Sequence, residues 1–273
     1  MRLICLASAA AALSLAAAAA SAQVPLVSYR AVHDLVLDGS GDAPEAGDIT
    51  GRLVTEFTGS ACTGYTTKSR FVTRGTSDEG ERQINDLRST TYESRDGKFE
   101  FNNETYTDDE LTELAEGEAK RGEGGVTVTL TKPDERTVAL DAGVVFPTEQ
   151  VARVIGAAAA GKKFLAFDVY DGSETGEKVF GTATVIGRVS TASDDLGAET
   201  GIADAGFAAL RHWPVTISYF EQPSRSDMTP AYTMSLVLYE NGVPRNIKLD
   251  YGAFALIGKL THLEVLPSTP CPG

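Results

Sequence analysis

Three histidines, three cysteines and two acid-rich loops are where this sequence could do chemistry, and their spacing decides which kinds. No two of His33, His212 and His262 lie at metal-ligand spacing, and no cysteine has a histidine placed to share a zinc ion. His33 alternates with apolar neighbours and reads as a strand residue with an ordinary hydrogen bond; His212 and His262 read no more sharply. Ser60 in GSACTG lacks the Gly-x-Ser-x-Gly elbow of a serine nucleophile, and no Ser-x-x-Lys occurs with its companion motifs. The loop DGSGDAPEAGDI (38–49) resembles a calcium loop only faintly. Ala43 stands where glycine is needed, and Ile49 where a bidentate glutamate must close the site. DGSETGEK (171–178) has its glycine but no closing carboxylate, so both loops read as solvated turns. The acid run Asp108, Asp109, Glu110, Glu113, Glu116 and Glu118 reads as a solvated strand or loop before it reads as a face for a basic partner. No catalytic residue, metal ligand or cofactor follows from any of this, and the sequence is read as that of a non-enzymatic protein. Its ligand-binding residues, if it has any, are unknown at this point.

The cysteines need a compartment before they can be interpreted. The chain opens MRLICLASAAAALSLAAAAASAQVPLV: one basic residue, an alanine-rich apolar run, and Ala20-Ser21-Ala22 directly before Gln23. That is the pattern of a secretory signal peptide over 1–22, cleaved after Ala22. No basic stop-transfer flank follows, so the mature chain is expected to be exported and not membrane-spanning. Cys5 departs with the signal and lies too early to be a lipoprotein cysteine. Two cysteines remain, Cys62 and Cys271, and in an exported protein two is the number that pairs. Elimination therefore points to a Cys62–Cys271 disulfide, with two free buried thiols as the alternative. Such a link is expected to fasten the ends of an open sheet whose edge strands would otherwise fray. The net charge of −14 argues against nucleic acid and anionic lipid surfaces as direct ligands.

The elements that must hold these residues are mostly strands. Period-two alternation recurs in 29–37, 51–57, 65–73 and 125–131. Asp96-Gly97, between 88–95 and 98–105, and Asn241-Gly242, between 232–240 and 243–251, predict two-residue type I′ hairpins. One helix interrupts the strands: Pro147 and Thr148 start it, Val151, Val154, Ile155 and Ala158 recur at helical spacing, and Gly161 stops it. Residues 107–125 stay ambiguous, with helical propensity but too few apolar residues for a stable helix. The stretches 39–47, 190–206 and 222–229 read as polar loops. The scattered aromatics, Phe164 among them, read as core residues of a sheet. No repeat or linker divides 23–273, so one domain is expected. Its fold class is all-β, a long antiparallel meander forming an open, spiral-like β-barrel with one amphipathic helix packed on it. The helix face of Val151, Val154 and Ile155 should meet the concave side. Its alanines bring little volume, so part of that side should stay open to a lipid-like apolar ligand or a partner's apolar segment.

Seven stretches together carry a family resemblance: YRAVHDLVL, GSACTGY with RFVTR, LRSTTYESRDGKFEFN, VVFPTEQVARVI, FDVYDGSETGEKVF, YTMSLVLYENGVPRNIKLDYG and the terminal PCPG. In this order the chain resembles the envelope-integrity protein B family of alphaproteobacteria. The resemblance implies a periplasmic β-spiral and a disulfide from the early GSAC turn to the C-terminal cysteine, which falls on Cys62 and Cys271. It also implies a role in resistance to envelope stress, in association with a periplasmic tetratricopeptide-repeat protein. It implies no catalytic residues.

Overall fold

A computed structural model describes residues 25–39, 49–76, 80–191, 199, 201–222, 229–268 and 271. The signal segment and the loop 40–48 lie outside them. Strand β1 (Tyr29–Leu37) is followed by β2 (Thr50–Ser60), β3 (Gly64–Thr76), β4 (Arg82–Glu93), β5 (Lys98–Thr107), β6 (Glu110–Gly122), β7 (Gly125–Lys132) and β8 (Arg136–Leu140). Helix α1 (Pro147–Ala159) comes next, then β9 (Phe164–Val169), β10 (Phe180–Ile186), α2 (Gly201–Asp204), β11 (His212–Glu221), β12 (Tyr232–Tyr239), β13 (Pro244–Asp250) and β14 (Ala255–Val265). The expected all-β antiparallel meander is what forms. Its strands make one open sheet in the order β8-β7-β6-β5-β4-β3-β2-β1-β14-β13-β12-β11-β10-β9. A second, four-residue helix, α2, lies in the stretch expected to be a polar loop.

The order means that two meanders, β1 to β8 and β9 to β14, meet only where β1 pairs with β14. The free edges, β8 and β9, are neighbours in sequence, joined through α1. Shifts of register at Val32/His33, Thr105/Tyr106, Glu116/Gly117 and Ser235/Val237 add local twist to the ladders. Alternation selects the inner face. On β1, Tyr29, Ala31, His33 and Leu35 are buried while the residues between them are not.

The main core draws on both meanders. Tyr29, Ala31 and Phe57 share one cluster with Trp213, Val215 and Ile217, and Val154, Ile155, Ala157 and Ala158 of α1 are buried among them. The expected helix face is thus the packed one. Ile202 of α2, fully buried, joins the same cluster. A second core forms under β5 to β7, where Phe99 and Phe101 meet Val128, Leu130, Phe146 and Tyr170.

Three local readings change. Residues 107–125 are strand: β6 turns Ala115, Gly117 and Ala119 inward, opposite Asn103, Phe101 and Phe99. A Cβ on Gly117 would stand 2.9 Å from the Phe101 ring. The inward residues are small because the rings above them are large, and so the apolar period is faint. The two glycine hairpins are not type I′. Ser94 N–H donates to the Lys98 carbonyl at 2.8 Å, and Tyr239 N–H to the Val243 carbonyl at 3.0 Å, leaving three-residue loops in which only Gly97 and Gly242 have positive φ. The turn with two positive-φ residues is Asp108-Asp109, between paired Thr107 and Glu110. Phe164, finally, is 60% exposed rather than core.

The Cys62 and Cys271 sulfurs are bonded, with Cα atoms 5.5 Å apart and a sequence separation of 209. Cys62 sits in the β2–β3 turn and Cys271 beyond β14, on either side of β1. The link therefore spans the junction of the two meanders rather than the sheet's edges. We expect Cys62→Ser to cost roughly 2–5 kcal/mol in chemical unfolding while leaving far-ultraviolet circular dichroism unchanged. Val154→Asp, which would leave an uncompensated charge in the main core, should cost about 3–5 kcal/mol. An unaltered midpoint for either variant would place its residue outside the cooperative unit.

Candidate functional site

A surface cleft of about 1010 Å³ lies where the β2–β3 turn, the β4–β5 turn, α1 and β9 converge. One wall is the open side of α1, where Ala152, Gly156 and Ala160 present almost no side chain. A Cβ on Gly156 would meet nothing within 4 Å. The opposite wall is β9, through Leu165, Ala166 and Phe167.

The helix is fixed by a residue that sequence reasoning passed over. The N-cap position is Phe146, whose side chain cannot cap, and Pro147 supplies only a compatible φ. The cap comes from 55 residues upstream: one Glu93 oxygen accepts the Thr148 N–H at 2.8 Å and the other accepts the Glu149 N–H at 3.0 Å. Desolvation by the surrounding protein pushes the Glu93 carboxyl up to about 7, and the like charge of Glu149 adds to this, against the pull of the Thr148 and Glu149 donors. Nothing in the local sequence around Glu93 signals a helix cap, because the helix it serves belongs to another part of the chain.

Charge gathers at the rim. Arg121 donates to the Ala142 carbonyl at 3.1 Å and to Glu149 at 2.9 Å, and its guanidinium stands 5.2 Å from the centre of the Phe146 ring. Arg153 shares the same Glu149. Arg95 and Lys162 also line the cleft.

The histidines do not assemble into a site. His262 is exposed, and His212 sets Nδ1 3.0 Å from the Leu210 carbonyl oxygen and packs on Tyr239. His33 differs from expectation: it is 1% exposed, and neither ring nitrogen has a hydrogen-bond partner among the described residues. Burial holds its pKa below the ordinary value, outweighing the pull of the Glu199 and Asp34 charges. Glu199 is itself buried, taking N–H bonds from Asn246 and Leu260 at 3.0 and 2.9 Å and an Arg245 guanidinium at 3.2 Å. These bonds pin the α2 segment to the inner ends of β13 and β14.

The loop 171–178 is a packed turn. Ser173 N–H donates to Asp171, Asn103 donates to the Gly172 carbonyl at 2.7 Å, and a Cβ on Gly172 would collide with the Phe101 ring at 2.4 Å. The other calcium-like loop lies largely outside the described residues. Among the described residues no cluster of three metal-binding side chains forms, and no helix is long and apolar enough to cross a membrane.

An open sheet rolled around a helix, with a cleft and no assembled catalytic set among the described residues, defines a β-barrel-like class. The family comparison agrees. A family model described as EipB-like matches residues 20–267, and the chain belongs to that family. It is 41% identical over 246 residues to the cell envelope integrity protein EipB of Brucella abortus (strain 2308), across 90% of this chain and 86% of that protein. A crystal structure of a β-barrel-like protein of domain of unknown function DUF1849 from Brucella abortus matches with a TM-score of 0.82 at 40% identity. The match covers 89% of this chain and all (100%) of that one.

The Glu93 cap makes stability depend on pH in a definite direction. Its folded value of about 7 lies above the ordinary 4.5, so the stability it contributes is complete below 4.5 and is lost as the pH rises through 7. We expect the melting-temperature gap between the wild type and Glu93→Gln to shrink from pH 5 to pH 8. A gap that widens over this range would show that the helix dipole governs the carboxyl.

Proposed function

We propose that this protein is a periplasmic, non-catalytic factor that maintains the cell envelope under stress, with residues 23–273 working as one unit that acts through a protein partner. The observation that carries this reading is how the interior is used. The inner face of the sheet is packed by α1, Ile202 and its own strands into buried apolar clusters, while the cleft and its charged rim remain at the surface. Such a molecule offers another protein a shaped exterior. The name of the Brucella relative, a cell envelope integrity protein, supports the setting, and the leader 1–22 supports export. A periplasmic tetratricopeptide-repeat protein remains the proposed partner.

One observation favours a second reading, in which a lipid-like ligand occupies the cleft. Leu165, Phe167 and the small-residue side of α1 give it apolar walls. A probe with an apolar tail would lie along Gly156.

Disrupting the gene in the producing bacterium should raise sensitivity to a membrane-active detergent. The full chain should restore resistance, and a chain lacking 1–22 should not. Unchanged sensitivity in the disrupted strain would overturn the envelope reading. For the ligand reading, a hydrophobic fluorophore should bind the mature protein, and Gly156→Phe, which fills open space, should abolish the signal without lowering the melting temperature. Binding unaffected by that substitution would remove the cleft as a lipid site.

A further inference from the structure

The two free edges of the sheet are not treated alike. Strand β8 is five residues long, follows Pro133, and places Asp134, Glu135 and Arg136 at its start, the short and charged character that discourages strand addition. Strand β9, six residues long and preceded by Lys162 and Lys163, carries no charged side chain along Phe164 to Ala166. Its partner on one side is β10. On the other side, the connection before α1 reaches only its end: Val145 N–H donates to the Asp168 carbonyl at 2.9 Å, and Tyr170 N–H donates to the Val145 carbonyl at 3.0 Å.

Because backbone direction alternates along a strand, the bond at Asp168 fixes the rest. The N–H and C=O of Phe164 and Ala166 point the same way as those of Asp168, away from β10. Among the described residues nothing bonds them there. Ala166 is exposed and borders the cleft. On the outer side of the same edge, Phe164 is 60% exposed beside Val185 at 55%, its direct pairing partner in β10. An unpaired ladder, an apolar outer strip and a cleft floored by Gly156 and Ala160 thus share one line.

We propose that this edge of β9 binds an extended peptide segment of a partner protein by strand addition, the segment carrying alternating apolar residues and acidic flanks. The backbone of the segment would pair with Phe164 and Ala166. One set of its side chains would enter the cleft over α1, and the other would cover Phe164 and Val185. The acidic flanks follow from charge: in a chain of net charge −14 this cleft is lined by four cationic residues, Arg95, Arg121, Arg153 and Lys162, against Glu93, Asp96 and Glu149, with Glu149 already shared by two of the arginines and Glu93 spent on capping α1. This inference rests on the partner-binding reading and gives that partner a binding mode.

The test uses the mature protein, isotope-labelled, and a panel of synthetic seven-residue peptides that alternate threonine with valine, isoleucine or phenylalanine between terminal glutamates. At least one should bind, slow the hydrogen exchange of the Phe164 and Ala166 amides, and lose about tenfold in affinity when N-methylated at alternate residues. Ala166→Pro should remove binding without unfolding the protein, since proline is tolerated where an edge N–H faces outward. Arg95→Glu with Lys162→Glu should weaken binding and reverse the preference toward lysine-ended peptides. Amides already protected in the free protein, no binding by any peptide, or binding indifferent to Ala166→Pro would overturn the proposal. If the peptides fail while disruption of the gene still sensitises cells to detergent, this edge is wrong and the envelope reading stands.

Discussion

Everything in this molecule depends on β1 finding β14. All the other ladders join strands that follow one another in the chain, most of them through a hairpin or short connection, with β10 and β11 joined through α2. The β1–β14 ladder pairs Tyr29 with Val265 and Leu37 with Leu256, across nearly the whole chain. Its loop-closure entropy is the largest in the fold, and its formation brings the halves of the main core together. The disulfide acts at this place, and so does a small set of bonds around it. Ser28 exchanges hydrogen bonds with Gly59, and its carbonyl accepts the Leu266 N–H at 2.8 Å. The bridge strengthens the one pairing that chain connectivity does not help.

The same constraint explains why α1 lies where it does. Once β1 and β14 are paired, the two strands left without neighbours, β8 and β9, are those connected through the helix. The helix buries Val154 and Ile155 against residues from both meanders, so it cannot dock until the halves have met. Its first turn is then completed by Glu93, from the opposite meander. The helix acts as a wedge between the rolled edges, and the cleft is the space between the wedge and β9.

The strands and α1 were legible in the sequence because alternation and helical spacing are local. The Tyr29–Leu37 strand shows its buried residues at every second position, and Val151, Val154 and Ile155 mark the helix face. Strand β6 was obscured because its inward residues, Ala115, Gly117 and Ala119, are sized to the rings of Phe99 and Phe101. The Asp96-Gly97 and Asn241-Gly242 turns were read one residue too short, since a glycine at positive φ serves a three-residue loop as well as a two-residue one. Glu93, Glu199 and Asn103 gave no signal at all. Each earns its place only through a segment distant in sequence, and no period or motif records such a relation.

Charge shows the same division between what is local and what is assembled. On the outer face, arginines and carboxylates answer each other: Arg30 with Glu56 and Glu264, Arg52 with Asp34, and Asp86 with Arg70 on neighbouring strands, and Asp86 also with Arg88 on its own strand. The hydrogen bond from Arg70, with Arg88 beside it, holds the Asp86 carboxyl below its ordinary range. These pairs are largely exposed, so each adds little to stability, yet together they keep the outer face of β1 to β4 hydrated and unattractive to other strands. At the rim of the cleft Glu149 likewise answers two arginines, and Arg95 and Lys162 line the opening with Asp96. A sheet that can roll but not close must leave an edge somewhere. Here that edge stands beside a cleft lined by Arg95, Arg121, Arg153 and Lys162 against Glu93, Asp96 and Glu149.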